Sequence, residues 1–306
     1  MQHVIQHVIQ HYRRNKKRSI SDYFISIFLI SVMLTCLIPV LNTFSISLSD
    51  KVSAGLGKVY LWPVNPTIVP YEEILKDNQF FTSFLISVYR VFLGLSVNVL
   101  LCIIMAYPLS KDTKAFKAKN IYMWFVVFTM LFNGGLIPNY ILVQKLGLID
   151  KIWSLVLPGA VPVFSIIILM NYFKSIPKSL EEAALMDGAN PFYIMWKIFV
   201  PLGKPAIAVI ALFSVVGHWN SFFDGLIYMN LQEKYPLQTY IQTLTVSIDY
   251  QNMNSLKPEE IIKQMEVSNL TFNSAKLVVS MIPVLLIYPF LQRYFVTGIV
   301  MGAVKE

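Results

Sequence analysis

Six stretches of this chain keep a high hydropathy for about twenty residues or more, near 23–46, 81–109, 121–143, 152–173, 206–229 and 275–295. At 1.5 Å of rise per residue a helix of that length crosses the ~30 Å hydrocarbon core of a bilayer. A backbone placed in that core must satisfy its own hydrogen bonds, so each stretch is expected to be helical. The predicted fold is all-α, a polytopic membrane protein with six transmembrane helices. Charge agrees: only 14% of the 306 residues are charged, against about 25% in soluble domains. The net charge of +8 comes from basic residues scattered through short loops. That is the pattern of the positive-inside effect, not of a nucleic-acid surface. Cys36 and Cys102 both fall inside apolar stretches, where thiols pack as small hydrophobes and no disulfide is expected.

Charge also orients the chain. With both termini on the cytoplasmic side, fifteen basic residues lie inside: five at 13–18, four at 111–119, then Lys174, Lys178, Lys197, Lys204, Arg293 and Lys305. Eight remain outside, or nine with Lys276 at the edge of the last stretch. This asymmetry favours termini-in, and the segment 179–205 is then cytoplasmic. The chain divides into a basic N-terminal tail (1–19), a first span with its outer loop (20–78), a five-helix core (79–296) and a C-terminal tail (297–306). His3, His7 and His11 recur every fourth residue in the first tail, a spacing able to hold a metal. No carboxylate or cysteine supports a metal there, and a surface helix held by anionic lipid is the plainer reading. The apolar run behind this tail is too long for a signal-peptide core, so an uncleaved first span is expected. Of the two large outer segments, 47–79 carries Pro-containing turns and a short polar helix near 71–76. The other, 230–273, carries a helix-coded stretch at 258–267 and a sequon at Asn269-Leu270-Thr271 that is common by chance.

Enzyme signatures are missing. Gly57-Lys58 lacks the rest of a phosphate-binding loop, and there is no H-E-x-x-H, C-x-x-C or G-x-S-x-G. Nothing in the chain is expected to hydrolyse a nucleotide or hold a catalytic metal.

Against this apolar background 179–205 stands out, reading SLEEAALMDGANPFYIMWKIFVPLGKP. Ser179 with Glu182 three residues on has the form of a capping box, with Pro177 just before it. Leu180, Ala183, Ala184 and Met186 give a small apolar face. Gly188 is placed to stop the helix at positive φ, and Asn190-Pro191 to restart it as N-cap and first-turn proline. Pro201 is expected to break the second helix and Pro205 to open the fifth span. Two short rigid helices at an angle, facing the cytoplasm, have the form of a docking element.

In these residues the chain resembles a known family. Glu182-Ala183-Ala184, Asp187-Gly188-Ala189, Ile198 and Pro201 match the EAA loop of type I ABC-importer permeases, of the MetI-like fold. The resemblance covers roughly 79–295. It is closer to the MalG-like carbohydrate uptake permeases. Asn133-Gly134-Gly135-Leu136-Ile137-Pro138, His218-Trp219-Asn220-Ser221-Phe222-Phe223 and Tyr294-Phe295-Val296-Thr297-Gly298 resemble the subgroup of Lpl/Ytc and alginate-importer type. The resemblance implies a coupling helix at this loop, docked in a cleft of a partner ATPase. Glu182 would contact a basic residue there, Ala183 and Ala184 would allow close packing, and Gly188 would make the turn. It also implies a second homologous permease, two cytoplasmic P-loop ATPase subunits that bind the ATP and Mg, and an extracellular solute-binding lipoprotein. The cargo would be an oligosaccharide and the location the bacterial cytoplasmic membrane. No cofactor is expected in this chain.

Polar residues inside the spans are few. Arg90 and Asp224 each lie in an outer half, where an unpaired charge is costly. A structural pair, snorkelling to the interface and contact with substrate are all open to them. Sugar hydroxyls need donors, acceptors and an aromatic face. Candidates are Trp219 and Asn220 first, then Asn133, Asn139, Tyr140, Asn171, Tyr172 and Tyr228. Such residues also serve as interhelical bonds or interface aromatics. Gly134-Gly135 and Pro138 are expected to interrupt the third span. The alternatives are a permease for an amino acid, polyamine or phosphate, which shares the loop, or a secondary transporter, which would more often show internal repeats.

Overall fold

The computed structural model describes residues 20–246, 270–287 and 289, and these fall into two units, 20–70 with 270–275 and the remainder. The histidine tail, the 258–267 stretch, Asn269 of the sequon and the 294–298 phrase lie outside the described residues. Among the described residues there is no strand.

In the first unit α1 (Ile20–Ser47) is apolar on all sides and exposed along most of its length. Its hydroxyls are satisfied locally: Ser26, Ser31, Thr35 and Thr43 each donate to the carbonyl four residues back. These four hydroxyls are therefore not presented unpaired to an apolar medium. Its last turn holds the following loop, with Asn42 Nδ2 donating to the Tyr60 carbonyl at 2.7 Å and Ser45 Oγ to that of Leu61 at 2.7 Å. Asp50 caps the short α2 (Lys51–Gly55), accepting from the Ser53 amide.

After α3 (Val69–Lys76), the second unit is built on α4 (Asn78–Ser110), which Asp77 caps through the Phe80 amide. One stripe of α4 is buried, running Ser83, Ser87, Arg90, Gly94, Asn98 and Cys102 at helical spacing. Small residues along such a stripe let neighbouring helices approach closely. At Gly94 a Cβ would collide with the His218 ring, so the crossing of these two helices requires glycine there.

The third span is broken, as Gly134-Gly135 foretells: α5 (Lys119–Leu131) and α6 (Leu136–Lys145) meet at 111°. Gly135 takes φ +91° and donates its amide to Asn133 Oδ1 at 2.9 Å. The fourth is not the single helix expected over 152–173. Two 3₁₀ turns, Ile152–Leu155 and Leu157–Gly159, precede α7 (Val163–Ser175) at a 51° bend. Pro158 and Pro162 cannot donate to an α-helical ladder, which accounts for the break. Then come α8 (Lys178–Met186), α9 (Pro191–Leu202) and α10 (Lys204–Asn220), the last two at 81°.

The fifth span also corrects the expectation of a helix to 229. It stops at Asn220, and after Ser221 and Phe222 a short α11 (Phe223–Tyr228) begins. The expected outer segment contains a helix that hydropathy did not reveal, α12 (Leu237–Val246), with Leu237, Thr239, Tyr240 and Ile241 buried. The last is α13 (Leu270–Ile287). Three helices are thus long and apolar enough to span, and each of three bent pairs serves as one more, up to six in all among the described residues.

Candidate functional site

The loop between α7 and α10 is a rigid double helix with identifiable stops. Pro177 occupies the N-cap of α8, extended at ψ 128°, and no side chain caps the helix. This corrects the capping-box reading: α8 starts one residue early, so Ser179 is inside its first turn rather than before it. At the other end the expected glycine stop is present. Gly188 lies at φ +79°, its amide donates to the Leu185 carbonyl at 3.0 Å, and the Ala189 amide to that of Ala184 at 2.9 Å. Those two bonds are a Schellman closure. Asn190 Oδ1 then accepts from the Tyr193 amide at 2.8 Å, with Pro191 in the first turn. Pro201 does not end α9 as expected. A π-turn at Met195–Phe199 precedes it and the helix runs on to Leu202. Widening the ladder before a proline relieves its clash with the preceding turn.

The rear of this element is fixed to the end of α4. Lys111 Nζ lies 2.7 Å from Glu181 Oε1 and 3.9 Å from the centroids of both the Tyr107 and Phe199 rings. Phe199 in turn packs edge-on against Tyr107 and Phe173, at 5.0 and 5.5 Å. Burial pushes the Lys111 ammonium below its usual range, and Glu181 pulls it back up. One residue on, Asp112 pairs with Lys178, whose hydrogen bond holds the carboxyl below the usual carboxylate range. Two ion pairs therefore tie α8 to the same turn, one enclosed and one solvated. Neither was singled out from the sequence, because their partners are some seventy positions apart.

The remainder of the element is partly open. Glu182, Ala183, Asp187, Gly188 and Pro201 are exposed, and Ala184, Ala189 and Ile198 half-buried. Beside them Met186 is 88% exposed and Phe192 68%. Exposed Met and Phe side chains are of the types enriched at protein interfaces.

Away from this loop, the structure joins Arg90 and Asp224. The guanidinium, 2% exposed, donates to both carboxylate oxygens, and also to the Ser221 carbonyl at 3.2 Å and that of Leu155 at 3.4 Å. Tyr228 borders the same cavity as this pair, and the other polar candidates do not converge on it. Trp219 is buried, its Nε1 donating to the Ser280 carbonyl at 3.0 Å, with its ring edge-on to Phe84. Asn220 is exposed at the end of α10 and Asn171 exposed on α7. Asn133 and Asn139 meet at the broken third span, 3.5 Å apart. Tyr140 stacks on Tyr228, with ring centroids 6.4 Å apart.

Residues 84–301 match the model of the family described as binding-protein-dependent transport system inner membrane component. The chain is 36% identical over 296 residues to the polygalacturonan/rhamnogalacturonan transport system permease protein YtcP of Bacillus subtilis, covering 94% of this chain and 99% of that one. It is 35% identical over 285 residues to protein LplC of the same organism, covering 91% and 92%. A crystal structure of a bacterial ABC transporter involved in the import of the acidic polysaccharide alginate contains a chain of the same fold. Its TM-score is 0.79 at 33% identity, over 92% of this chain and 100% of that one.

Proposed function

The chain belongs to the family of binding-protein-dependent transport system inner membrane components, and from that premise we propose that it is the permease subunit of an ATP-driven importer of oligosaccharides. Its similarity to permeases for polygalacturonan and to an alginate importer supports the cargo class. Acidic oligosaccharides are accordingly the first substrates to test.

The observation that carries the mechanism is the α8–α9 element, which exposes Glu182 while Glu181 clamps it to the end of α4. In this reading it faces the cytoplasm, with both chain termini, and two partner ATPase subunits receive it. ATP and Mg bind to those subunits and not to this chain. A second homologous permease completes the pathway, and an extracellular binding protein delivers the sugar. ATP must favour the closed ATPase dimer strongly over the open one, or the equilibrium would not shift. Closure displaces α8. Lys111 and Asp112 carry that displacement to α4, and the packed spans move as rigid bodies to reverse access.

The test is uptake of radiolabelled oligogalacturonide by proteoliposomes holding the whole transporter. Glu182→Lys is expected to abolish uptake and release the ATPase while the permease remains inserted. Normal uptake by this variant with its ATPase bound would remove the docking role. Failure of the wild type to take up any saccharide would remove the cargo class.

A further inference from the structure

A cavity of about 340 Å³ opens beside α8, walled by the loop between α4 and α5, the start of α5 and the end of α7. Four lysines line it, and two of them are answered within the fold: Lys111 lies against Glu181 and Lys178 against Asp112. Lys119 and Lys174 are not. Among the described residues neither forms an ion pair. Lys119 Nζ donates to the Lys111 carbonyl, and the charge acting on Lys174 is a second ammonium, that of Lys119. Asp112, which feels Lys119, is already bonded to Lys178, and Glu182 is exposed and acts on Lys178 as well. Two like charges brought to one cavity repel, and an anion between them turns that repulsion into two attractions.

The side-chain types narrow which anion. Ammonium groups are compact point charges with rotatable donors and suit the tetrahedral oxygens of a phosphate, whereas planar carboxylates are best met by the arginine fork. No arginine lines this cavity. After its bond to the Lys111 carbonyl, Lys119 keeps two N–H donors, and Lys174 has three. The volume is at the lower end for ligand pockets, roughly 300–1,000 Å³. Position then says what carries the phosphate. Lys119 is the first residue of α5 and Lys174 the last but one of α7, so both stand at ends of spans, where basic residues meet anionic headgroups. From Lys119, α5 continues into an apolar face on which Ile121, Tyr122, Trp124 and Phe125 are 55 to 74% exposed, with aromatics of the kind that sit at headgroup level. A soluble phosphate would make no use of that face; a lipid uses both parts. We propose that this cavity is a headgroup site for an anionic phospholipid, its phosphodiester held between Lys119 and Lys174 and its acyl chains laid along α5. The site rests on the permease reading above for its place beside the coupling element, and it is independent of the cargo.

Lysines outside the cavity separate a site from diffuse attraction. Lys114 and Lys117 belong to the loop beside it, are exposed and do not line it. In the test, the complete transporter in detergent is titrated with phosphatidylglycerol, with phosphatidylcholine as the zwitterionic control, and bound lipid is counted by native mass spectrometry. The wild type is expected to show a phosphatidylglycerol step that phosphatidylcholine does not reproduce. Lys119→Gln/Lys174→Gln removes hydrogen bonds to a charged group and should weaken that step about tenfold or more. Lys114→Gln/Lys117→Gln removes the same charge from a screened surface and should leave the step within about twofold. Lys174→Gln alone is the second variant. Its ammonium bonds nothing else among the described residues, so it should weaken binding and leave the melting temperature unchanged. Equal weakening by the two double variants would overturn the site in favour of diffuse attraction. Displacement of the step by millimolar inorganic phosphate would overturn the lipid and make the ligand a free phosphate. Binding is read without transport, so either failure leaves the docking and cargo readings to stand or fall on Glu182→Lys and on wild-type uptake.

Discussion

Arg90 Nη1 reaches the Ser221 carbonyl oxygen at 3.2 Å, and that carbonyl belongs to the turn where the fifth span breaks. The Leu155 carbonyl, 3.4 Å from Nη2, belongs to the 3₁₀ turn that opens the fourth. Non-helical backbone at membrane depth is tolerated only where protein satisfies its freed groups. One guanidinium does that for two spans at once, while Asp224 neutralises it and accepts from the Ser221 hydroxyl at 2.8 Å. Of the readings the sequence left open for Arg90 and Asp224, the structural pair is present, and it sits where two spans are broken.

Arg90→Met is therefore expected to destabilise the subunit by ~3–5 kcal/mol, the range for leaving one half of a buried pair. Arg90→Lys should recover only part of this. An ammonium keeps the charge but cannot hold the planar fork to the carboxylate and reach a carbonyl as well. The double variant Arg90→Met/Asp224→Leu should be less destabilised than Arg90→Met alone. Thermal unfolding of the detergent-solubilised subunit measures all three. Full stability in Arg90→Lys would show that charge alone is needed.

That relationship also marks what could be read from the sequence. Span positions were legible because hydropathy is a local property, and so was the 179–205 loop, whose Gly188 and Asn190 act on their immediate neighbours. The break at Gly135 was legible for the same reason. The break after α10 is held by Arg90, 131 positions away, and no window of sequence contains both ends, whereas the break before α7 carries its own signal in Pro158 and Pro162. Trp219 shows the same limit. It has the right type for a sugar contact, yet its Nε1 is engaged by Ser280 in α13. Helix α12 was missed because its burial comes from partners such as Ser87, whose hydroxyl accepts the Leu237 amide at 2.7 Å.

Lys111 and Glu181 are expected to be thermodynamically coupled. Their side chains are 13% and 24% exposed, so solvent screens the pair less than it would at the surface. Glu181→Gln leaves the ammonium between two rings without its carboxylate, and should cost ~1–3 kcal/mol. Lys111→Met keeps the stem on Tyr107 and Phe199 and should cost less. A double-mutant cycle on melting temperature measures the coupling, and additive effects would mean the pair contributes nothing. In the whole transporter Glu181→Gln should also lower uptake per ATP hydrolysed.

Acid should weaken the fold through Asp77. Burial raises its pKa, but Lys276 Nζ at 2.6 Å, the Phe80 amide and the Tyr240 hydroxyl at 2.8 Å bring it below the usual 3.8. A carboxyl with a depressed folded pKa contributes stability above its unfolded value and loses it as pH falls through the folded value. The melting temperature should hold at neutral pH and fall below about pH 4. Asp77→Asn should lower it already at pH 7, by ~1.5–3 kcal/mol for lost bonds to a charged group, and flatten its acid dependence. An acid profile unchanged in Asp77→Asn would assign the effect elsewhere.

Gly94 gives a prediction in which the sign decides. Replacing glycine by alanine inside a helix ordinarily stabilises it, by ~1 kcal/mol. At Gly94 the added Cβ would run into the His218 ring, which is itself buried and 3.4 Å from Asn98 Nδ2. Overpacking of that kind costs ~1–3 kcal/mol, so Gly94→Ala should be net destabilising. Gly217 is the internal control: it lies one residue from His218 on α10, and a Cβ there meets nothing within 4 Å. Gly217→Ala should therefore be neutral or stabilising. His218→Ala clears the space opposite Gly94, and in that background Gly94→Ala should recover the ordinary stabilising sign. Melting temperatures of the wild type and these four variants give the answer. Stabilisation by Gly94→Ala in the presence of His218 would mean that α4 and α10 do not meet at this point.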